Sequence, residues 1–216
     1  IRVARGATGR DKIVKVEGGY HGHHDTVMVS MKPPVDAAGP ADRPFAVPST
    51  AGVARSAIAD TIVIPYNDAQ ALEDALAGND VAAFIVEPVM ENIGICMPQI
   101  GYLEDVRRIT REHGTMLIFD EVITAFGRLG HTFAAERFGV VPDLLTFAKG
   151  VTAGHAPLGG FLMTEAMAAP FVKGGETYMH GLTYSGHPLT TAIASSVAHP
   201  VPTSSTRRPA PKFATA

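Results

Sequence analysis

The chain has 216 residues, 46% of them hydrophobic, enough to bury a sizeable core in one domain or in part of a larger one. A formal net charge of -3 offers no basic surface for nucleic acid or an anionic membrane, and the single cysteine, Cys96, excludes an internal disulfide and suits a reducing compartment. With no charged-then-apolar leader and no apolar run of spanning length, the sequence reads as a cytoplasmic α/β protein.

In chain order, Ile1-Arg2-Val3-Ala4-Arg5 spaces its apolar residues as a helix does, and Gly6 offers a stop. Residues 12–16 alternate as a strand and lead into Glu17-Gly18-Gly19-Tyr20-His21-Gly22-His23-His24-Asp25. Three histidines and an aspartate within five positions are zinc-ligand types. Neighbouring His23 and His24 point apart on extended backbone, however, and the glycines favour a turn, so no metal is expected. Residues 33–48, with Pro33-Pro34, Pro40 and Pro44 beside Gly39, make a loop. Residues 61–67 form a short strand, and Asp68 is placed to cap a helix through Leu76.

Residues 81–86 are continuously apolar, as in a strand covered on both faces, and end on Glu87-Pro88. A carboxylate there serves either a ligand or the amides of a neighbouring loop. Asn92 follows in a loop that can face the same place. Residues 102–113 carry apolar positions at helical spacing, with Glu104 and Arg108 set for an i,i+4 pair, and Gly114 ends the helix. The strand from Thr115 ends on Asp120-Glu121-Val122, which completes a right-handed parallel crossover and brings Glu87 and Asp120 to one edge.

A short helix over 133–138 precedes Pro142-Asp143 and a second apolar strand, Leu144-Leu145-Thr146-Phe147-Ala148-Lys149-Gly150. A lysine held among apolar neighbours at a strand end is disfavoured in its charged form and becomes a nucleophile for a carbonyl. Paired with Asp120 along the same carboxyl edge, it meets the needs of an aldehyde cofactor with a pyridine ring: an amine for the Schiff base and a carboxylate that keeps the ring nitrogen protonated. Residues 160–163 form a further strand, Thr164 caps the next helix, and His180-Gly181-Leu182-Thr183-Tyr184-Ser185-Gly186 is a polar loop suited to a phosphate or to capping a turn. A helix from Pro188 runs to about residue 198. Residues 199–216 have no apolar period and are expected to be a disordered or non-native tail, left by truncation, a frame change or a basic interaction segment.

Phe119-Asp120-Glu121-Val122, Pro142-Asp143, Phe147-Ala148-Lys149-Gly150 and Thr183-Tyr184-Ser185-Gly186-His187-Pro188, in that order, resemble the class III aminotransferases of the pyridoxal-phosphate fold type I. The resemblance covers residues 1–198 and implies a three-layer α/β/α fold with a mostly parallel sheet, here part of a large cofactor-binding domain. It implies pyridoxal 5'-phosphate bound on Lys149, with Asp120 at the pyridinium nitrogen, Val122 under the ring, and Tyr20 stacked above unless that residue is plain core. His21 and Asn92 complete the cofactor surroundings, and Glu87 lies toward the substrate. Thr183 reaches the phosphate of a neighbouring subunit, which implies a homodimer with shared sites. The family's phosphate loop would precede residue 1 and its small domain would follow residue 198, so the sequence reads as a fragment lacking both ends.

The segment 149–160 is similar to ω-amino acid and amine transaminases, whereas 18–25 is similar to glutamate-1-semialdehyde aminomutases. The expected activity is transfer of an amino group from an amine or amino acid to a keto acid or aldehyde. Intramolecular aminomutase chemistry is the alternative, and a catalytically silent dimerising remnant is a second one.

Overall fold

The computed structural model describes residues 1–78, 80–175 and 177–197; the tail expected at 199–216 lies outside the described residues. Strands and helices alternate as far as the fifth strand. In chain order they are α1 (Arg2–Thr8), β1 (Lys12–Val16), α2 (Arg55–Ala59), β2 (Thr61–Ile64), α3 (Ala69–Leu76), β3 (Val81–Val86), α4 (Tyr102–Glu112) and β4 (Met116–Asp120). There follow α5 (Ala134–Phe138), β5 (Leu144–Phe147), β6 (Gly160–Met163), α6 (Glu165–Val172) and α7 (Pro188–Val197).

The strands form one sheet in the order β2-β1-β3-β4-β5-β6. The first five are parallel and β6 runs antiparallel to β5. That reversal follows from the connection: residues 148–159 contain one 3-10 turn, Lys149–Thr152, and no helix that could carry the chain back across the sheet for parallel pairing.

The period of two along each strand divides the core between the two faces. Val14, Val16, Phe84, Val86, Leu117 and Phe119 face α3 and α4, whose Leu72, Leu76, Leu103, Val106 and Ile109 complete that layer. Ile13, Ala83, Ile85 and Ile118 face the other way, onto Val3 and Ala4 of α1 and Met167 of α6. The result is a three-layer α/β/α arrangement, with β3 buried along its whole length.

Local signals act as read from sequence at two helix starts. Asp68 Oδ1 accepts from the Ala71 N–H at 2.9 Å, and Thr164 Oγ1 accepts from the Met167 N–H at 3.4 Å. The Glu104 to Arg108 pair does not form. Arg108 instead donates to Glu112 at 2.9 Å and to Asp105 at 3.4 Å, since from there one guanidinium serves two carboxylates. Helix α2 has only five residues and no buried position, so no apolar period marks it in the sequence.

Candidate active site

Because β1, β3, β4 and β5 are parallel, their carboxyl ends share one edge, and the strand order reverses direction between β1 and β3. Open α/β sheets bind ligands at such a point. A cavity of about 220 Å³ lies there, lined among others by Tyr20, His21, Glu87, Asp120, Val122 and Lys149, with Asn92, Ile123 and Thr146 at its sides. Seven of the eight residues singled out in the sequence thus meet. The eighth, Thr183, is exposed in the loop before α7 and does not line the cavity.

Asp120 is the last residue of β4 and is buried. Its Oδ1 accepts from the Val122 N–H at 3.1 Å, and its Oδ2 lies 2.8 Å from Nδ1 of His21, whose side chain is 1% exposed. The carboxylate is therefore fixed in direction while keeping unused lone pairs. Gly19 makes this possible, because a Cβ there would lie 2.9 Å from His21 Nε2 and 3.1 Å from the Val16 carbonyl.

Glu87 follows β3 and is buried. Its Oε1 accepts from the Tyr20 N–H at 2.9 Å, and its Oε2 accepts from the Asn92 amide at 3.2 Å and, at 3.4 Å, from the Glu91 N–H. Of the two uses open to it from sequence, this geometry is that of a carboxylate binding the amides of neighbouring loops.

Lys149 stands two residues beyond β5, at the start of the 3-10 turn, with φ 41. A non-glycine residue in the left-handed region is uncommon and costs of order 1 to 3 kcal/mol, held only where its surroundings over-determine it. Here the next residue, Gly150, lies against Phe126: a Cβ at Gly150 would be 3.0 Å from that of Phe126. The apolar burial expected around Lys149 is not found. Its side chain is exposed at the cavity mouth, because β5 ends at Phe147 and the turn lifts residue 149 out of the sheet.

The buried lysine is another one. Lys15, in the middle of β1, is 0% exposed and donates to the carbonyls of Gly19 at 3.0 Å and Val29 at 2.6 Å. Burial pushes its pKa down to about 8, against the pull of Glu87 and then Glu17. Sequence reading gave it no role. A lysine in a strand normally signals a solvent-facing position, and only the return of residues 27–30 over β1 encloses this one.

The other histidines of the 21–25 cluster are dispersed. His24 accepts from the Thr26 N–H, His23 sits edge-on to Tyr20 at 6.4 Å, and among the described residues no group of three or more His, Cys, Asp or Glu converges. A larger cleft of about 390 Å³ between α5 and β6 is walled mainly by apolar residues such as Val141, Leu162 and Met163, away from this chemistry.

Residues 1–206 match the sequence model of the aminotransferase class-III family. The glutamate-1-semialdehyde 2,1-aminomutase of Archaeoglobus fulgidus is 44% identical over 189 residues, 88% of this chain and 43% of that protein. Among solved structures, an omega-transaminase from Sphaerobacter thermophilus superposes with a TM-score of 0.80 at 30% identity, over 91% of this chain and 45% of the other. A glutamate-1-semialdehyde aminomutase variant from Pseudomonas aeruginosa, solved in complex with PMP, gives 0.71 at 32% identity, over 90% and 43%. The chain spans less than half of the length of these relatives. With a family pattern running through almost all of its residues and the mostly parallel sheet in place, this chain belongs to the class-III aminotransferases.

Proposed function

We propose that the chain forms the pyridoxal-phosphate-binding part of an amino-group transfer enzyme. The observation that carries this is the convergence of one amine, one oriented carboxylate and one aromatic ring on a single cavity. The donor set fits the cofactor: Asp120 offers a buried carboxylate with free lone pairs for a protonated ring nitrogen, and Tyr20, Val122 and Ile123 supply walls for a planar ring.

When bound, pyridoxal phosphate supplies a ring that takes up the electron pair released at the substrate's reacting carbon. Lys149 Nζ would hold the cofactor and, once the substrate's amine has displaced it, would be free to move a proton from and to the reacting carbon. Asp120 keeps the proton on the ring nitrogen, and His21 keeps Asp120 aimed. Glu87 and Asn92 hold the wall carrying Tyr20 in place. Thr183, exposed and outside the cavity, serves the phosphate of a second copy in a homodimer, and its loop also presents Leu182 and Tyr184 to solvent. The substrates are small: an amine or amino acid as donor, and a keto acid or aldehyde as acceptor. Half-buried Cys96 is consistent with work in the reducing cytoplasm.

A second reading, intramolecular transfer on glutamate 1-semialdehyde, is favoured by the 44% identity to a curated aminomutase. The two are separated by supplying the semialdehyde to the cofactor-loaded chain with and without a keto acid. Turnover without the keto acid supports the aminomutase; dependence on it supports the transaminase. Failure of every amine to alter the cofactor's absorbance would contradict both.

A further inference from the structure

The peptide unit joining Gly19 to Tyr20 is held at both of its ends by oppositely charged, buried side chains. Its carbonyl accepts from Lys15 Nζ at 3.0 Å, and its N–H donates to Glu87 Oε1 at 2.9 Å. A peptide carries its negative end at oxygen and its positive end at the N–H, so a cation at the first and an anion at the second both lower its energy. Such hydrogen bonds to charged groups are about twice as strong as neutral ones. Lys15 is locked in turn, with Val63 of β2 and Ile85 of β3 as strand neighbours and a second bond to the Val29 carbonyl. Glu87 is locked by Asn92. At neutral pH the Lys15 ammonium is charged, since burial pushes it down only to about 8.

We propose that Lys15 and Glu87 act as a two-ended electrostatic clamp on the Gly19–Tyr20 peptide, and that this clamp is what sets His21 against Asp120. Lys15 is then a positioning residue, acting on the site through backbone that it never leaves. The importance of this for catalysis rests on the functional reading above; the clamp itself does not. The peptide lies directly before Tyr20 and one residue before His21, so rotating it about its neighbours swings both rings. The 2.8 Å contact from His21 Nδ1 to Asp120 leaves little room for such a swing.

The test uses the full chain without cofactor. Amide hydrogen exchange is followed at Tyr20, and the His21–Asp120 contact is followed by nitrogen NMR of the imidazole, in the parent chain, Lys15→Met and Glu87→Gln. Losing one charge-assisted bond should speed Tyr20 exchange about ten- to a hundredfold. The His21 ring signals should move toward those of a free imidazole in both variants, while amides in the middle of β3 and β4 keep their rates. The double variant should be little worse than the poorer single one, because either loss frees the same peptide. Unchanged Tyr20 exchange would overturn the clamp. Faster exchange with an unmoved His21 signal would overturn the positioning role. Uniform acceleration through β1, β3 and β4 would also overturn it, reducing both residues to general core stabilisers. Cofactor titration of the parent chain is a separate measurement, and its failure would count against the functional reading without touching these outcomes.

Discussion

At Gly19 one added methyl group meets a site side chain and a backbone carbonyl together. The new Cβ would stand 2.9 Å from His21 Nε2, and the imidazole cannot retreat without leaving Asp120. Gly19→Ala should therefore lower stability by about 1 to 3 kcal/mol and displace the His21 signal, as read by denaturant titration and NMR. A second prediction concerns Lys15. Its pKa falls from 10.5 in the unfolded chain to about 8 in the folded one, so the unfolded state binds the extra proton between those values. Stability then rises with pH from 8 upward, by about 2 kcal/mol to pH 9.5. Lys15→Met should flatten that rise. Above pH 10, Tyr66 and Tyr102, both held protonated by burial, oppose it. A fall between pH 8 and 9.5 that the variant does not alter would contradict this assignment. The contrast with Lys149 shows what one-dimensional reading misses. Apolar neighbours in sequence suggested burial for Lys149, yet it is exposed, while Lys15 is sealed by a segment a dozen residues away.

Among the elements, those with an unbroken apolar run or a period were legible: β3, β4 and β5, and the helices α3 and α4. Their order on one edge could be argued from parallel crossovers alone, which is why Glu87, Asp120 and Lys149 could be placed together beforehand. The antiparallel turn into β6 depends on the 3-10 turn at Lys149, and α2 has no periodic signal; neither could be read. One ion pair that spacing does not reveal ties α4 to the paired strands β4 and β5. Arg107 donates to both oxygens of Asp143, at 2.6 and 3.2 Å, and Asp143 also accepts from the Leu117 N–H at 2.8 Å. Removing the partner of a largely buried carboxylate costs about 3 kcal/mol or more. Arg107→Ala should lower the chemical denaturation midpoint accordingly; a change below about 0.5 kcal/mol would show that Asp143 holds the two strands unaided.

At the scale of the whole molecule, the sheet brings the groups proposed above to hold the cofactor ring to one cavity. Lys149 is the only lysine or arginine among the described residues lining the cavity, and it is committed to the aldehyde in the proposed function. Each charge-assisted hydrogen bond to a phosphate contributes roughly 1.5 to 3 kcal/mol, so a complete cradle would separate pyridoxal phosphate from pyridoxal by about a hundredfold or more. For the 216-residue chain the two should bind within about tenfold of each other, as measured by absorbance titration. The most direct measurement is the identity of the lysine that takes the cofactor. The chain is incubated with pyridoxal phosphate, reduced with borohydride, digested and mapped by mass spectrometry. A pyridoxyl group on the peptide containing Lys149 is the predicted result; the same group on Lys15 or Lys173, with Lys149 unmodified, would contradict the account.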